Sequence, residues 1–245
     1  LVNNVSNARV IVFRATLGGD FDVVHAFSPL DGHYPWFLGF DGAALDVVLL
    51  NYDRYDQTWF RMTPDGTATP VATFQPSAQV RILGRDGALY GSVCCLDGLA
   101  RDKLVRLDPA GTITVLHSFI NGPAAAHPVA PMVEGSDGYI YGTTSFGGSA
   151  DRGTIFRISR TGRETVVHEF AGGAVDGSYP GALAVATDGN LYGLTWGGGA
   201  YDRGTIFRLS PAGEFTSVYS FTGGADGAGP SQLAQGVDGS LYGLA

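Results

Sequence analysis

The chain has 245 residues, 44% hydrophobic and 11% aromatic, which is enough for a buried core and incompatible with intrinsic disorder. Only 16% are charged, while 37 glycines and 12 prolines point to many tight turns and exclude long helices. The net charge is -8 and Lys103 is the one lysine, so no basic patch exists for nucleic acid or an anionic membrane, and apolar runs such as Val47-Val48-Leu49-Leu50 fall far short of the roughly 20 residues that span a bilayer.

In chain order, the first predicted element is a strand over Arg9–Ala15 carrying Val12-Phe13-Arg14. Its signature returns at Trp59-Phe60-Arg61, Leu104-Val105-Arg106, Ile155-Phe156-Arg157 and Ile206-Phe207-Arg208. A run ending in Phe follows each: Val24-His25-Ala26-Phe27, Thr73-Phe74, Leu116-His117-Ser118-Phe119, Val167-His168-Glu169-Phe170 and Tyr219-Ser220-Phe221. A third signature opens with Asp86-Gly-Ala-Leu-Tyr-Gly91 and recurs from Asp137, Asp188 and Asp238, at steps of 51, 51 and 50 residues, with a decayed copy at Asp41-Gly42. Such a fixed period decides architecture more firmly than local propensity does.

Each unit reads as four short strands. In the fourth, strand A is expected at Ala182–Ala186, B at Leu191–Thr195, C at Thr205–Leu209 and D at Phe215–Phe221. Asp188-Gly189 supplies the tight A–B hairpin, because this pair tolerates positive φ. Five such units of about 49 residues fit an all-β fold, a five-bladed β-propeller of four-stranded antiparallel blades forming one domain over residues 1–245. The chain begins in a strand C and ends in a strand B at Leu241–Ala245, so the closing blade is expected to be shared by the N- and C-terminal segments, leaving no free sheet edge.

The combination of D-G-x-L-Y-G-T-T, G-G-x-x-x-x-G-T-I-F-R and V-x-H-x-F followed by D-G-x-x-P closely resembles the bacterial and fungal extracellular tandem-repeat proteins called GloVer repeats. The match is strongest from Asp137 to Tyr242. Units one and two depart from it: Asp46-Val47-Val48 stands where Tyr-Gly-Thr is expected, and the Pro of D-G-x-x-P is missing near Gln79. The resemblance implies a secreted or surface-displayed propeller and no single activity, so function has to be argued from a site. No leader segment is readable at Leu1, and the extracellular expectation rests on the resemblance.

In a propeller the D-to-A and B-to-C loops gather on one face. Here those loops are long, variable and rich in aromatics: Tyr34, Trp36, Tyr55, Phe146, Tyr179, Trp196 and Tyr201 are candidate binding residues. Flat rings among Asp, Asn and Gly suit sugars or other small amphipathic molecules, although rings under loops also cap cores. Arg81 and the vicinal Cys94-Cys95 join the candidates because they stand in non-consensus places, the cysteines on the same rim. His25, His117 and His168 recur at one strand-D position and read as packing, whereas His33 and His127 interrupt the repeat and are candidates for acid–base work with Glu134.

A glycosidase needs paired acids roughly 5 to 9.5 Å apart, and Glu134 is the single acid among Leu38, Leu83, Glu134, Val185 and Gln235 at one lining position. The Asp-Gly aspartates are turn chemistry. Asp151-Arg152-Gly153 and Asp202-Arg203-Gly204 recur and read as loop bracing. No metal site and no cofactor is expected. The leading reading is a secreted, monomeric, glycan-binding or small-molecule-binding propeller. The alternative is a lyase, isomerase or cyclase with one pocket at the mouth of the central funnel, and a protein-interaction platform is a third.

Overall fold

A computed structural model describes residues 10–16, 18–40, 43–51, 53–74, 78–93, 103–119 and 132–245. Within them the chain is all-β, without a helix. The hairpin β1 (Ile11–Ala15) and β2 (Phe21–Ala26) forms a two-stranded antiparallel sheet. Four sheets of four strands follow: β3 (Tyr34–Phe40), β4 (Leu45–Asn51), β5 (Asp56–Met62) and β6 (Ala68–Phe74); β7 (Ala78–Leu83), β8 (Leu89–Val93), β9 (Lys103–Leu107) and β10 (Ile113–Ser118); β11 (Val133–Glu134), β12 (Ile140–Thr144), β13 (Thr154–Ile158) and β14 (Glu164–Glu169); β15 (Gly177–Val185), β16 (Leu191–Gly198), β17 (Thr205–Leu209) and β18 (Phe215–Ser220). The last pair, β19 (Gln232–Gln235) and β20 (Leu241–Leu244), is a second two-stranded sheet. In the four-stranded sheets neighbours in sequence are neighbours in the sheet, the up-and-down order of a propeller blade.

The segments sort into two compact units, Leu1–Leu96 with Val105–Thr114, and Asp97–Leu104 with Val115–Ala245. In the first, Val48, Trp59, Leu89, Val105 and Leu107 form one buried cluster, and Phe27, Leu49 and Phe60 belong to another. In the second, Tyr141, Ile155, Phe170, Leu183, Leu191, Phe207 and Leu209 form the core. Burying each such large side chain stabilises by about 1.5–3 kcal/mol.

The recurring motifs have physical reasons. In each Asp-Gly turn the glycine holds positive φ, as at Gly87 (74°) and Gly189 (83°). The aspartate carboxylate accepts a hydrogen bond from the tyrosine hydroxyl four residues on: Tyr90 to Asp86 at 2.7 Å, Tyr141 to Asp137 at 2.8 Å, Tyr192 to Asp188 at 2.9 Å and Tyr242 to Asp238 at 2.9 Å. Strand-C arginines reach the same carboxylates, Arg106 at 3.2 Å and Arg157 at 3.7 Å, so these arginines brace turns. In β12 and β16 the glycine after the tyrosine makes room for the strand-C phenylalanine: a Cβ on Gly142 or Gly193 would overlap the ring of Phe156 or Phe207. A β-bulge at that phenylalanine recurs in β1, β5, β13 and β17, and in the last three the ring is buried.

The strand-D histidines pack as their recurrence implied. His25, His117 and His168 each meet the phenylalanine two residues on edge to face. Their polar atoms are engaged by the Gly66 carbonyl, Glu164 and Asp176, at 2.9, 3.0 and 3.3 Å.

Two boundaries differ from expectation. Strand A of the fourth unit starts at Gly177 rather than Ala182, and strand B runs to Gly198 rather than Thr195. Residues assigned to loops instead extend the hairpin, through the pairs Gly177↔Gly198, Ser178↔Gly197 and Pro180↔Thr195. Similarly, Tyr34 and Trp36 lie on β3 and not in a connecting loop.

Candidate functional site

The extended β15–β16 hairpin places Tyr179 between two paired positions, opposite Trp196. Its backbone has φ 57°, the left-handed conformation that a bulky residue seldom adopts and that costs about 1–2 kcal/mol. The next repeat places Gly229 at this position, with φ 62°. Tyr179 therefore holds a strained backbone where glycine would be free. Two contacts with Arg152 keep it there: the Tyr179 N–H donates to the Arg152 carbonyl at 2.8 Å, and an Arg152 guanidinium N–H donates to the Tyr179 hydroxyl at 2.9 Å. The guanidinium also lies 5.5 Å from the ring centroid.

Phe146 arrives from the β12–β13 connection and meets Tyr179 edge to face, with centroids 5.8 Å apart. Threonine hydroxyls fix both loop starts. Thr144 donates to the Phe146 carbonyl at 2.7 Å, and Thr195 donates to the Gly197 carbonyl at 2.9 Å, on the strand that carries Trp196. Each threonine is backed by a second hydroxyl, Thr154 at 2.9 Å and Thr205 at 2.8 Å. Asp151 and Asp202 brace the far ends of these loops by accepting the N–H groups of Gly147 and Gly198, both at 2.8 Å, as loop bracing requires.

Phe146, Tyr179 and Trp196, with Ser145, Pro180 and Gly181, line a cavity of about 370 Å³, within the roughly 300–1,000 Å³ of small-molecule pockets. Its rings are not core caps: Phe146 is 56% and Trp196 60% exposed. Behind it, Asp176 ties down the loop leading to Tyr179, accepting N–H bonds from Ala171 at 2.8 Å and Gly177 at 2.7 Å. Burial opposes ionisation of Asp176, but the His168 hydrogen bond and those two N–H groups outweigh it and hold its pKa below the ordinary carboxylate range.

The other candidates lie elsewhere. Trp36 is partly buried against the Val48–Trp59 cluster and caps a core. His33 is half-buried, its backbone N–H donating to the Leu50 carbonyl at 2.9 Å, and its neighbour Tyr34 is exposed. Tyr55 is exposed at a left-handed turn position, φ 52°. Glu134 is paired with Arg160 at 2.5 Å and is not part of the aromatic cavity. Tyr201 is 61% exposed and lines a separate cavity. Cys94, Cys95 and His127 and the side chain of Arg81 lie outside the described residues. Among the described residues no cluster of three or more His, Cys, Asp or Glu could hold a metal ion, and no helix is long and apolar enough to cross a membrane. The recurrence of Asp-Arg-Gly implies loop bracing for Arg152; the one sign in the sequence of its second contact is that Tyr179 stands where the following repeat has a glycine.

The Gloeobacter/Verrucomicrobia repeat model matches residues 38–245, and the chain belongs to that family. A comparison with curated proteins finds no match. Among solved structures, the β-propeller domain of the Trilobed protease from Pyrococcus furiosus superposes with a TM-score of 0.56 at 12% identity, over 96% of this chain and 70% of that one. An oligogalacturonate lyase in complex with manganese gives 0.56 at 15% identity, over 95% and 65%. Dipeptidyl peptidase 4 of Porphyromonas gingivalis gives 0.54 at 11%, over 97% of this chain and 34% of that one. At these identities the likeness establishes a propeller-like fold. The chain spans roughly two thirds of the first two proteins and a third of the last.

Proposed function

We propose that the chain is a secreted, monomeric, single-domain propeller that binds a glycan or a similar amphipathic small molecule in the Phe146–Tyr179–Trp196 cavity. The carrying observation is Tyr179, a ring held in a strained backbone at the wall of a cavity with two further exposed rings. Backbone strain persists where surrounding contacts enforce it and clusters at ligand clamps. Exposed aromatic faces suit the apolar faces of sugar rings, while the neighbouring backbone carbonyls and hydroxyls accept and donate to sugar hydroxyls.

The finer architecture in this reading is five four-stranded blades, one made from the β1–β2 and β19–β20 hairpins. Support comes from the glycine–phenylalanine rule. The register that pairs Gly142 with Phe156 and Gly193 with Phe207 makes Gly243 of β20 the counterpart of Phe13 of β1.

A glycan array followed by calorimetry tests the binding reading. A hit should weaken tenfold or more in Phe146→Ala and Trp196→Ala. Silence across the array, or a hit indifferent to both substitutions, would remove the reading.

A further inference from the structure

A second cavity, of about 480 Å³, has the other member of the Arg152–Tyr179 pair in its lining. Arg152, Gly172, Gly173, Ser178, Tyr201 and Asp202 contribute to its lining. Tyr179 forms the wall of the aromatic cavity and Arg152 that of the second, so one hydrogen-bonded pair separates two places for ligand groups. The second cavity has an exposed ring of its own in Tyr201, and Gly172 and Gly173, with φ 70° and 77°, line it without side chains.

Arg14, Arg54, Arg106, Arg157 and Arg160 stand within ion-pair distance of a carboxylate. Arg152, like Arg163, Arg203 and Arg208, makes no ion pair among the described residues, and it is the one of these four that lines this cavity, bonded to a neutral phenol. A guanidinium has five N–H donors in a planar fork matched to a carboxylate, and the Tyr179 hydroxyl takes one of them. Asp202 sits in the same cavity with one oxygen on the Gly198 N–H, which leaves its other oxygen to accept from hydroxyl groups. Asp202 repels a doubly charged phosphate more strongly than a singly charged carboxylate. A sugar bearing one carboxylate and several hydroxyls satisfies both side chains.

The geometry points to a uronic-acid-containing oligosaccharide as the ligand, its carboxylate on the Arg152 fork and an adjoining sugar ring on Phe146 and Trp196. This rests on the aromatic-cavity reading above and adds the ligand's charge.

Calorimetry with tetramers of galacturonate, glucuronate and mannuronate, each as the free acid and as its methyl ester, separates the two readings. One acid should bind about tenfold or more tightly than its own ester, and the gap should narrow as salt is raised from low to high concentration. Arg152→Gln should bring acid and ester to equal affinity, and Arg152→Lys should restore only part of the gap because it keeps charge without the fork. Equal binding of acid and ester by the unmodified chain, lost in Trp196→Ala, overturns the carboxylate inference and leaves the aromatic site intact. Failure of every acid, every ester and the neutral glycan array overturns both.

Discussion

Replacing Tyr179 by glycine and by alanine separates what its ring does from what its backbone costs. Both substitutions remove the Arg152–hydroxyl hydrogen bond, about 0.5–1.5 kcal/mol, and the cation–π contact, about 0.5–1 kcal/mol. Alanine keeps the left-handed strain of φ 57°, whereas glycine relieves about 1–2 kcal/mol of it, less the extra freedom glycine gains when unfolded. Tyr179→Ala should therefore lose about 1–2 kcal/mol, while Tyr179→Gly stays within about 1 kcal/mol of the parent. The gap between the variants is about 1 kcal/mol, or roughly 2–4 °C in Tm for a chain of this size. Urea titrations at fixed m-value measure it, and ligand affinity should fall in both variants. An alanine variant as stable as the glycine one would refute the argument that strain is kept at this position for binding.

Gly193→Ala should destabilise by about 1–3 kcal/mol in thermal unfolding, because a Cβ there overlaps the Phe207 ring; a neutral result would break the glycine–phenylalanine rule. Asp46 is fully buried, with one carboxylate oxygen accepting from the Trp59 indole N–H at 2.6 Å and the other without a partner. Burial raises its pKa despite the Trp59 bond, so its charge costs stability at neutral pH and the cost fades as pH falls through the raised pKa. Asp46→Asn should be more stable at pH 7 by about 1 kcal/mol, with the difference closing toward pH 4, as denaturant titrations across pH would show. Asp176 has the opposite sign: its lowered pKa gives stability that is present above about pH 4 and lost on further acidification. Asp176→Asn should cost about 1–3 kcal/mol at pH 7 and flatten the acid limb of the same titration.

Much of this fold was legible in the sequence because each repeat signature answers a local physical demand. Asp-Gly followed by Tyr encodes a turn with its own hydroxyl–carboxylate bond, and strand-B glycine encodes the seat for a strand-C phenylalanine. The cavity was legible only in part. Phe146, Tyr179 and Trp196 stood out as aromatics near loops, but so did Trp36, which caps a core. Composition cannot tell an exposed ring from a capping one, since both sit beside Gly and Pro. The extension of β15 and β16 into supposed loops also escaped notice, because Gly177, Gly197 and Gly198 are poor strand formers by propensity and pair here through tertiary context. Arg152 was hidden by its recurrence as Arg203, which made it look structural; only its unlike partner, Tyr179 instead of Gly229, distinguishes the two.

A crystal soaked with a tetra-uronate puts the whole chain of reasoning to one test. The expected map shows a sugar ring against Trp196 and Phe146, with the Tyr179 backbone still at positive φ and a carboxylate on Arg152. Ligand density on any other surface with these rings left bare would contradict it.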